Sequence, residues 1–172
     1  MRSLNQRFQE KVEVIRMFIY FYQTAIGKIG IAEQNEKITN LYFTDERWPD
    51  DGKICETAIL QEAARQLNDY LAGRLTVFSL PLEPAGTVFM KQVWNSLCEI
   101  PYGQTVSYKS IAAKIGKPGA ARAVGLANNR NPIPLFIPCH RVIGTNGALV
   151  GYRGGLALKD QLLKLETDNA VF

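Results

Sequence analysis

Ile133-Pro134-Leu135-Phe136-Ile137-Pro138-Cys139-His140-Arg141-Val142 begins like a buried strand and is stopped at Pro138, directly before a cysteine and the chain's single histidine. Proline has no amide for a strand ladder, and Gly144, Asn146 and Gly147 follow in a turn-rich stretch, so the thiol sits where the backbone bends. Two readings of the pair stand side by side. Cysteine is among the most buried residue types, and after Ile and Pro it reads as a small core hydrophobe. Cys beside His is also the minimal pairing that raises the thiolate fraction of a thiol whose ordinary pKa is about 8.5.

Outward from this bend, the second half of the chain reads as mainly helical. Gly86 to Cys98 carries Val88, Phe89, Val93, Trp94 and Leu97 on one broad face, and Pro101-Tyr102-Gly103 makes a turn. Ser107 caps a short helix from Tyr108 to Ile115, Gly116 ends it, and Pro118 stands early in another helix reaching about Asn128. Two helices joined by a tight glycine turn make a helix-turn-helix candidate. The second helix is built of minimal side chains around one long cation, Gly119-Ala120-Ala121-Arg122-Ala123-Val124-Gly125. Such a helix serves either close packing in a core or close approach to a surface with one residue reaching in. Arg122 is costly to bury unpaired and is expected to point outward. Gly151-Tyr152-Arg153-Gly154-Gly155 reads as a flexible loop feeding a last helix to Glu166. That helix has an apolar stripe of Leu158, Leu162 and Leu165, with Glu166 at its border.

The first half alternates like strands over Phe18–Thr24, Lys28–Glu33 and Lys37–Phe43, an antiparallel meander with turns at Gly27 and at Gln34 to Glu36. Thr57 to Leu71 has Ile59, Leu60, Ala63, Ala64, Leu67 and Leu71 at helical spacing, with Gly73 as its stop. The fold class expected is α+β. A small N-terminal antiparallel sheet with one helix occupies 17–80, a linker containing Pro81 and Pro84 follows, and a mainly helical domain occupies 85–172. Residues 1–16 are polar and mixed in charge and read as a frayed extension.

Charge divides unevenly along the chain. Residues 1–84 hold ten Lys and Arg against twelve Asp and Glu, whereas residues 85–172 hold ten against four. Residues 100–159 contain eight basic side chains and no acidic ones, and Cys139 lies among them. A field of one sign suits a polyanion, because each cation that neutralises a phosphate releases a condensed counterion; a solvated basic surface is the other reading. Three widely spaced cysteines, Cys55, Cys98 and Cys139, form neither a disulfide framework nor a zinc finger, and a reducing compartment is expected. The apolar run Val14–Tyr22 is broken by Arg16, is too short to span a bilayer and lacks a cleavage site after it, so a cytoplasmic protein is expected.

Taken together, Pro101-Tyr102-Gly103, Val106-Ser107-Tyr108, Ala121-Arg122-Ala123-Val124-Gly125, Asn131-Pro132, Ile137-Pro138-Cys139-His140-Arg141-Val142 and Gly154-Gly155-Leu156 resemble the O6-alkylguanine-DNA alkyltransferases. The resemblance covers nearly all of residues 85–166 in order and spacing. Over the first half it is one of outline only, to a ribonuclease-H-like sheet and helix.

The resemblance implies repair of double-stranded DNA by direct reversal, acting once per molecule, without a cofactor. A helix-turn-helix enters the minor groove and the alkylated guanine is flipped out, which is required because a stacked base does not offer its O6 substituent to a sulfur. Cys139 is then the alkyl acceptor, His140 the base acting through a bridging water, and Glu166 the residue that fixes the imidazole tautomer. Arg122 is the finger that replaces the extruded base, with Ala121, Ala123 and Gly125 giving close approach. Tyr108 crowds the 3′ phosphate and donates toward guanine N3, and Asn131 holds the active-site turn. The carbonyls of Cys139 and Val142 read the exocyclic amine, the loop from Tyr152 to Gly155 closes on the base, and Lys159 lies near the pocket. Relatives often carry a small residue where Arg153 stands; its side chain is expected to narrow the pocket or grip DNA. Some relatives bind structural zinc in the first half, but Cys55 is the only thiol or imidazole there, so no metal is expected. A monomer in solution is expected. The alternatives are a lesion binder without chemistry, a sequence-specific regulator, and a hydrolase with a Cys-His-Glu triad that turns over.

Overall fold

The computed structural model describes residues 17–170, and the extension expected over 1–16 lies outside the described residues. Strands β1 (Phe18–Thr24), β2 (Gly27–Gln34) and β3 (Lys37–Tyr42) form the expected meander. A two-residue strand, β4 (Lys53–Ile54), adds parallel to β1, so the order is β3-β2-β1-β4. Asn35 and Glu36 turn the β2–β3 hairpin at φ 53° and 60°, the paired left-handed conformation whose twist matches that of the strands. Helix α1 (Ala58–Leu71) lies on the sheet and buries Leu60, Ala63, Ala64, Gln66, Leu67 and Tyr70.

The stretch read as a linker is fastened to the sheet. The Ile38 N–H donates to the Pro81 carbonyl at 2.8 Å and the Glu83 N–H to the Ile38 carbonyl at 2.8 Å, which lays Leu82 along the edge of β3. The prolines do not prevent this, because only Pro81's carbonyl and Glu83's amide are used. The edge is thereby covered.

Beyond it come α2 (Val88–Cys98), β5 (Val106–Ser107), α3 (Tyr108–Lys114), α4 (Ala121–Asn129), β6 (Val142–Ile143) and α5 (Leu156–Asn169), with β5 and β6 paired in parallel. Ser107 caps α3 as expected, accepting the Ser110 N–H at 3.0 Å, and Thr87 caps α2 in the same way. Pro118 departs from expectation. It lies in a turn closed by the Ala120 N–H on the Lys117 carbonyl at 2.9 Å, and α4 starts three residues later. A proline's fixed φ suits a turn as well as a first helical turn, so spacing alone does not separate them.

Helix α5 departs further. Its fully buried residues are Lys159, Leu162 and Glu166, while Leu158 and Leu165 are only half-buried. The inward face is still one helical stripe, but two of its three members are ions, for which an apolar-periodicity reading has no weight. Below it a single apolar cluster joins both halves of the chain: Ile31 and Leu41 of the sheet, Leu67 of α1, Trp94 and Leu97 of α2, Val124 of α4 and Leu162 of α5. Among the described residues no helix is long and apolar enough to cross a membrane. Because Leu67 is fully buried between sheet and helices, Leu67→Ala is expected to destabilise the fold by about 2–5 kcal/mol, read as a lowered midpoint in urea unfolding.

Candidate active site

The bend at Cys139 is built by an uncommon backbone. Leu135, buried, adopts φ 74°, a left-handed conformation that costs a branched residue about 1–3 kcal/mol and persists where its surroundings enforce it. Those surroundings are hydrogen bonds. The Asn131 side-chain amide donates to the Ile137 carbonyl at 2.9 Å, and its oxygen accepts the Ile133 N–H at 3.0 Å. The Cys139 N–H closes on the Ile137 carbonyl at 2.7 Å, and Asn128, from the end of α4, donates to the Cys139 carbonyl at 3.2 Å. Residues Cys139–Arg141 form one turn of 3-10 helix, which directs the Cys139 and His140 side chains apart.

Glu166 draws this turn to α5. Its carboxylate accepts from His140 Nε2 at 2.8 Å, from Arg141 Nε at 2.9 Å and Nη2 at 2.9 Å, from the Tyr70 hydroxyl at 2.7 Å and from the Gly103 N–H at 3.0 Å. His140 and Glu166 are fully buried, and Arg141 nearly so, its Nη1 donating to the Ile100 carbonyl at 2.6 Å. Burial alone would raise the Glu166 carboxyl; the hydrogen bonds from His140 and Arg141 reverse this and hold it at about 2. An ionised carboxylate only accepts, so the His140 Nε2 carries the proton. Its Nδ1 has a free lone pair and no hydrogen-bond partner among the described residues.

Burial raises the Cys139 thiol to about 11, although Asn131, Lys159 and Arg153 each pull it down, and burial lowers the His140 imidazole despite Glu166. Both shifts favour a neutral thiol beside a neutral imidazole. The resting pair is therefore not the thiolate that the dipeptide alone promises. Buried surroundings penalise charge on both partners more than proximity rewards it.

Around the sulfur, Lys159 is buried and donates to the Val142 carbonyl at 2.6 Å and the Val150 carbonyl at 3.0 Å, its burial lowering the ammonium. The Tyr108 hydroxyl donates to the same Val150 carbonyl at 2.9 Å. Tyr152 is buried edge-on to His140, with ring centroids 6.4 Å apart. The Arg153 side chain, expected to narrow the pocket or grip DNA, is paired with Glu46 of the first half. The loop read as flexible is thus anchored at two side chains. On α4, Arg122 and Ala123 are exposed while Ala121 and Gly125 are half-buried, and Gly125 lies against the Tyr108 ring. Arg122 is thus exposed to solvent, as its cost of unpaired burial requires. Among the described residues no three His, Cys, Asp or Glu side chains are grouped to hold a metal ion.

Sequence reasoning did not single out Tyr70, Arg141, Asn128 or Glu46. Arg141 had a signal, since it stands within the quoted motif and a cation beside a buried turn needs an anion. Tyr70 had none: it reads as one more apolar position of α1.

The Glu166 carboxyl titrates near 4.5 when the chain is unfolded and near 2 when folded, so the unfolded chain binds the proton more readily in between. The stability it contributes is full above about pH 5 and is lost as pH falls through 4.5 toward 2. Glu166→Gln is expected to flatten this acid-side loss in urea unfolding measured from pH 6 to pH 3. At neutral pH it is expected to cost about 3–5 kcal/mol, because Arg141 is left buried without its counterion.

Comparison with known proteins places this geometry. Residues 17–84 match the family model described as the ribonuclease-like domain of 6-O-methylguanine DNA methyltransferase, and residues 88–168 match the model of its DNA binding domain. A methylated-DNA–protein-cysteine methyltransferase from Methanosarcina barkeri is 48% identical over 161 residues, covering 89% of this chain and 99% of its own length. The constitutive methylated-DNA–protein-cysteine methyltransferase of Bacillus subtilis is 47% identical over 151 residues, 84% of this chain and 92% of its own. Among solved structures, the Mycobacterium tuberculosis OGT in complex with DNA superposes with a TM-score of 0.85 at 44% identity, covering 89% of this chain and 94% of that one. A chain matched over nearly its whole described length by both family models and by such relatives belongs to the methylated-DNA–protein-cysteine methyltransferase family.

Proposed function

We propose that Cys139 is the acceptor of the alkyl group in this chain. The protein repairs alkylated DNA by direct reversal, taking a methyl or larger alkyl group from O6 of guanine. The observation that carries the assignment is the His140 imidazole. It is buried and neutral and is held through Nε2 by Glu166, which leaves the Nδ1 lone pair as the base on the residue that follows Cys139, the only buried thiol among the described residues. In the step proposed, the thiol proton passes through a bridging water to Nδ1, since adjacent side chains in this turn diverge. The sulfur attacks the alkyl carbon in line, the carbon–O6 bond breaks and its electron pair stays with the guanine. Tyr108, exchanging its present hydrogen bond to Val150, passes its proton to N3 so that guanine leaves neutral, and the proton taken up by His140 returns through solvent to the Tyr108 phenolate.

Base flipping and DNA approach fall to α3 and α4 acting as a helix-turn-helix in the minor groove. The exposed Arg122 fills the vacated stack, and the small side chains of Ala121, Ala123 and Gly125 let the helix come close. The carbonyls of Cys139 and Val142 read the exocyclic amine, the Cys139 oxygen sharing it with the Asn128 amide and the Val142 N–H that it already accepts, and the Val142 oxygen with Lys159. Asn131 holds the turn, Lys159 fixes the Val142 carbonyl, and Tyr152 with the Arg153 backbone closes the pocket. The 17–80 unit is a ribonuclease-H-like support, and 85–172 is the DNA-binding and reactive unit of a cytoplasmic monomer. A thioether is not hydrolysed under mild conditions, so each molecule reacts once.

Intact mass after mixing with a duplex containing O6-methylguanine is expected to rise by one methyl group, and Cys139→Ala is expected to abolish the gain. Lesion-selective binding without a gain would mean a damage sensor, and multiple turnovers on esters would mean a hydrolase. Arg122→Ala is expected to slow repair in duplex DNA by about 10-fold or more while leaving reaction with free O6-methylguanine base nearly unchanged, because only the duplex has a stack to fill. Equal losses on both substrates would remove Arg122 from the finger role.

A further inference from the structure

Arg153 uses its guanidinium on three acceptors that belong to two different parts of the molecule. Its Nη2 donates to Glu46 Oε2 at 2.8 Å, its Nε to Glu46 Oε1, and its Nη1 to the Asn131 carbonyl at 3.1 Å. Glu46 is itself oriented, since its Oε2 also accepts the Phe43 N–H at 2.9 Å. The Phe43 ring meets the Tyr152 ring edge-on, with centroids 6.3 Å apart. The turn that ends β3 therefore clasps the 151–155 loop twice, once by a ring and once by a forked ion pair, and the same fork reaches the residue that holds the Cys139 bend. Gly151 and Gly155 flank this loop at φ 41° and 87°. With glycine conformations at both ends, backbone stiffness does not decide where the loop stands. Its side-chain anchors do.

The loop stands against the Cys139 turn, with Tyr152 edge-on to His140 and Arg153 donating to the carbonyl of Asn131, the residue that holds the bend, so it forms a wall beside the sulfur. We propose that the Glu46–Arg153 pair sets the depth of the pocket in front of Cys139, making Glu46, from the opposite half of the chain, a positioning residue that determines how large an alkyl group is accepted. The proposal rests on Cys139 being the acceptor.

Geometry and charge make opposite demands, and this allows a test. Glu46→Gln leaves the Arg153 cation unneutralised near the thiol and favours the thiolate, whereas Arg153→Gln removes that cation and disfavours it. Both release the loop. Second-order rates of Cys139 alkylation, read by intact mass, are measured with duplexes carrying O6-methylguanine or O6-benzylguanine. Both variants are expected to raise the benzyl-to-methyl rate ratio by about threefold or more, a discrimination of the size a relaxed apolar pocket wall gives. The double variant is expected to raise it no further than either single one. An unchanged ratio in both overturns the proposal, as does a methyl rate that moves in opposite directions with the ratio constant, which would make the pair purely electrostatic. Should either variant fail to fold, Arg153→Lys keeps the charge but loses the fork. It is expected to raise the ratio part-way, and no change would overturn the proposal. A wild-type chain that gains no mass at Cys139 would instead overturn the acceptor assignment, and the proposal with it.

Discussion

Glu166 is a carboxylate buried in the centre of the molecule, and the rest of the site is arranged by the need to satisfy it. A buried charge is tolerated only with close, well-aligned donors, and removing one partner is far more damaging than the pair is stabilising. The donors here come from three places: Tyr70 on α1, Gly103 in the turn after α2, and His140 and Arg141 in the bend, all meeting a residue of α5. None of these is a sequence neighbour of Glu166. The charge is therefore satisfied only when both halves of the chain are packed together, and the apolar cluster running from the sheet through α2 to α5 brings them there.

This requirement also sets the chemistry. With Glu166 ionised, the imidazole is compelled to donate through Nε2, and burial keeps it and the Cys139 thiol uncharged. On the proposed mechanism the thiol gives up its proton as the alkyl carbon is engaged, and the charge that develops on the guanine is neutralised by the Tyr108 proton. Such an arrangement protects a reactive thiol from general oxidants and electrophiles while leaving it competent toward one substrate. It suits a protein whose every misdirected reaction consumes a molecule.

The local elements were legible because local physics specifies them. Alternating residues in the first strands, Ser107 as a cap, and glycines after α1 and α3 each act within a few positions of chain. The departures have two causes. Pro118 fits two conformations equally, and the stripe on α5 was assigned to leucines when Lys159 and Glu166 face inward. The segment at Pro81 to Glu83 read as a linker because its composition is that of one, yet its free amide and carbonyl complete the edge of β3. On α5 and at Pro81 to Glu83 a long-range partner decided what a residue did, whereas at Pro118 two local conformations competed.

The amino-acid sequence by itself determined that a thiol and the chain's one imidazole stand together at a backbone bend, within a basic half that has helices of the right order and spacing. Motif, charge and periodicity are properties of adjacent residues, and they survive without a fold. Only the tertiary structure decided that the thiol rests protonated, that Nδ1 is the available base, that Tyr70 belongs to the site, and that Arg153 is bound to Glu46 across the two halves. Those are consequences of desolvation and of hydrogen-bond geometry between residues 26 to 107 positions apart. No reading of neighbours contains them.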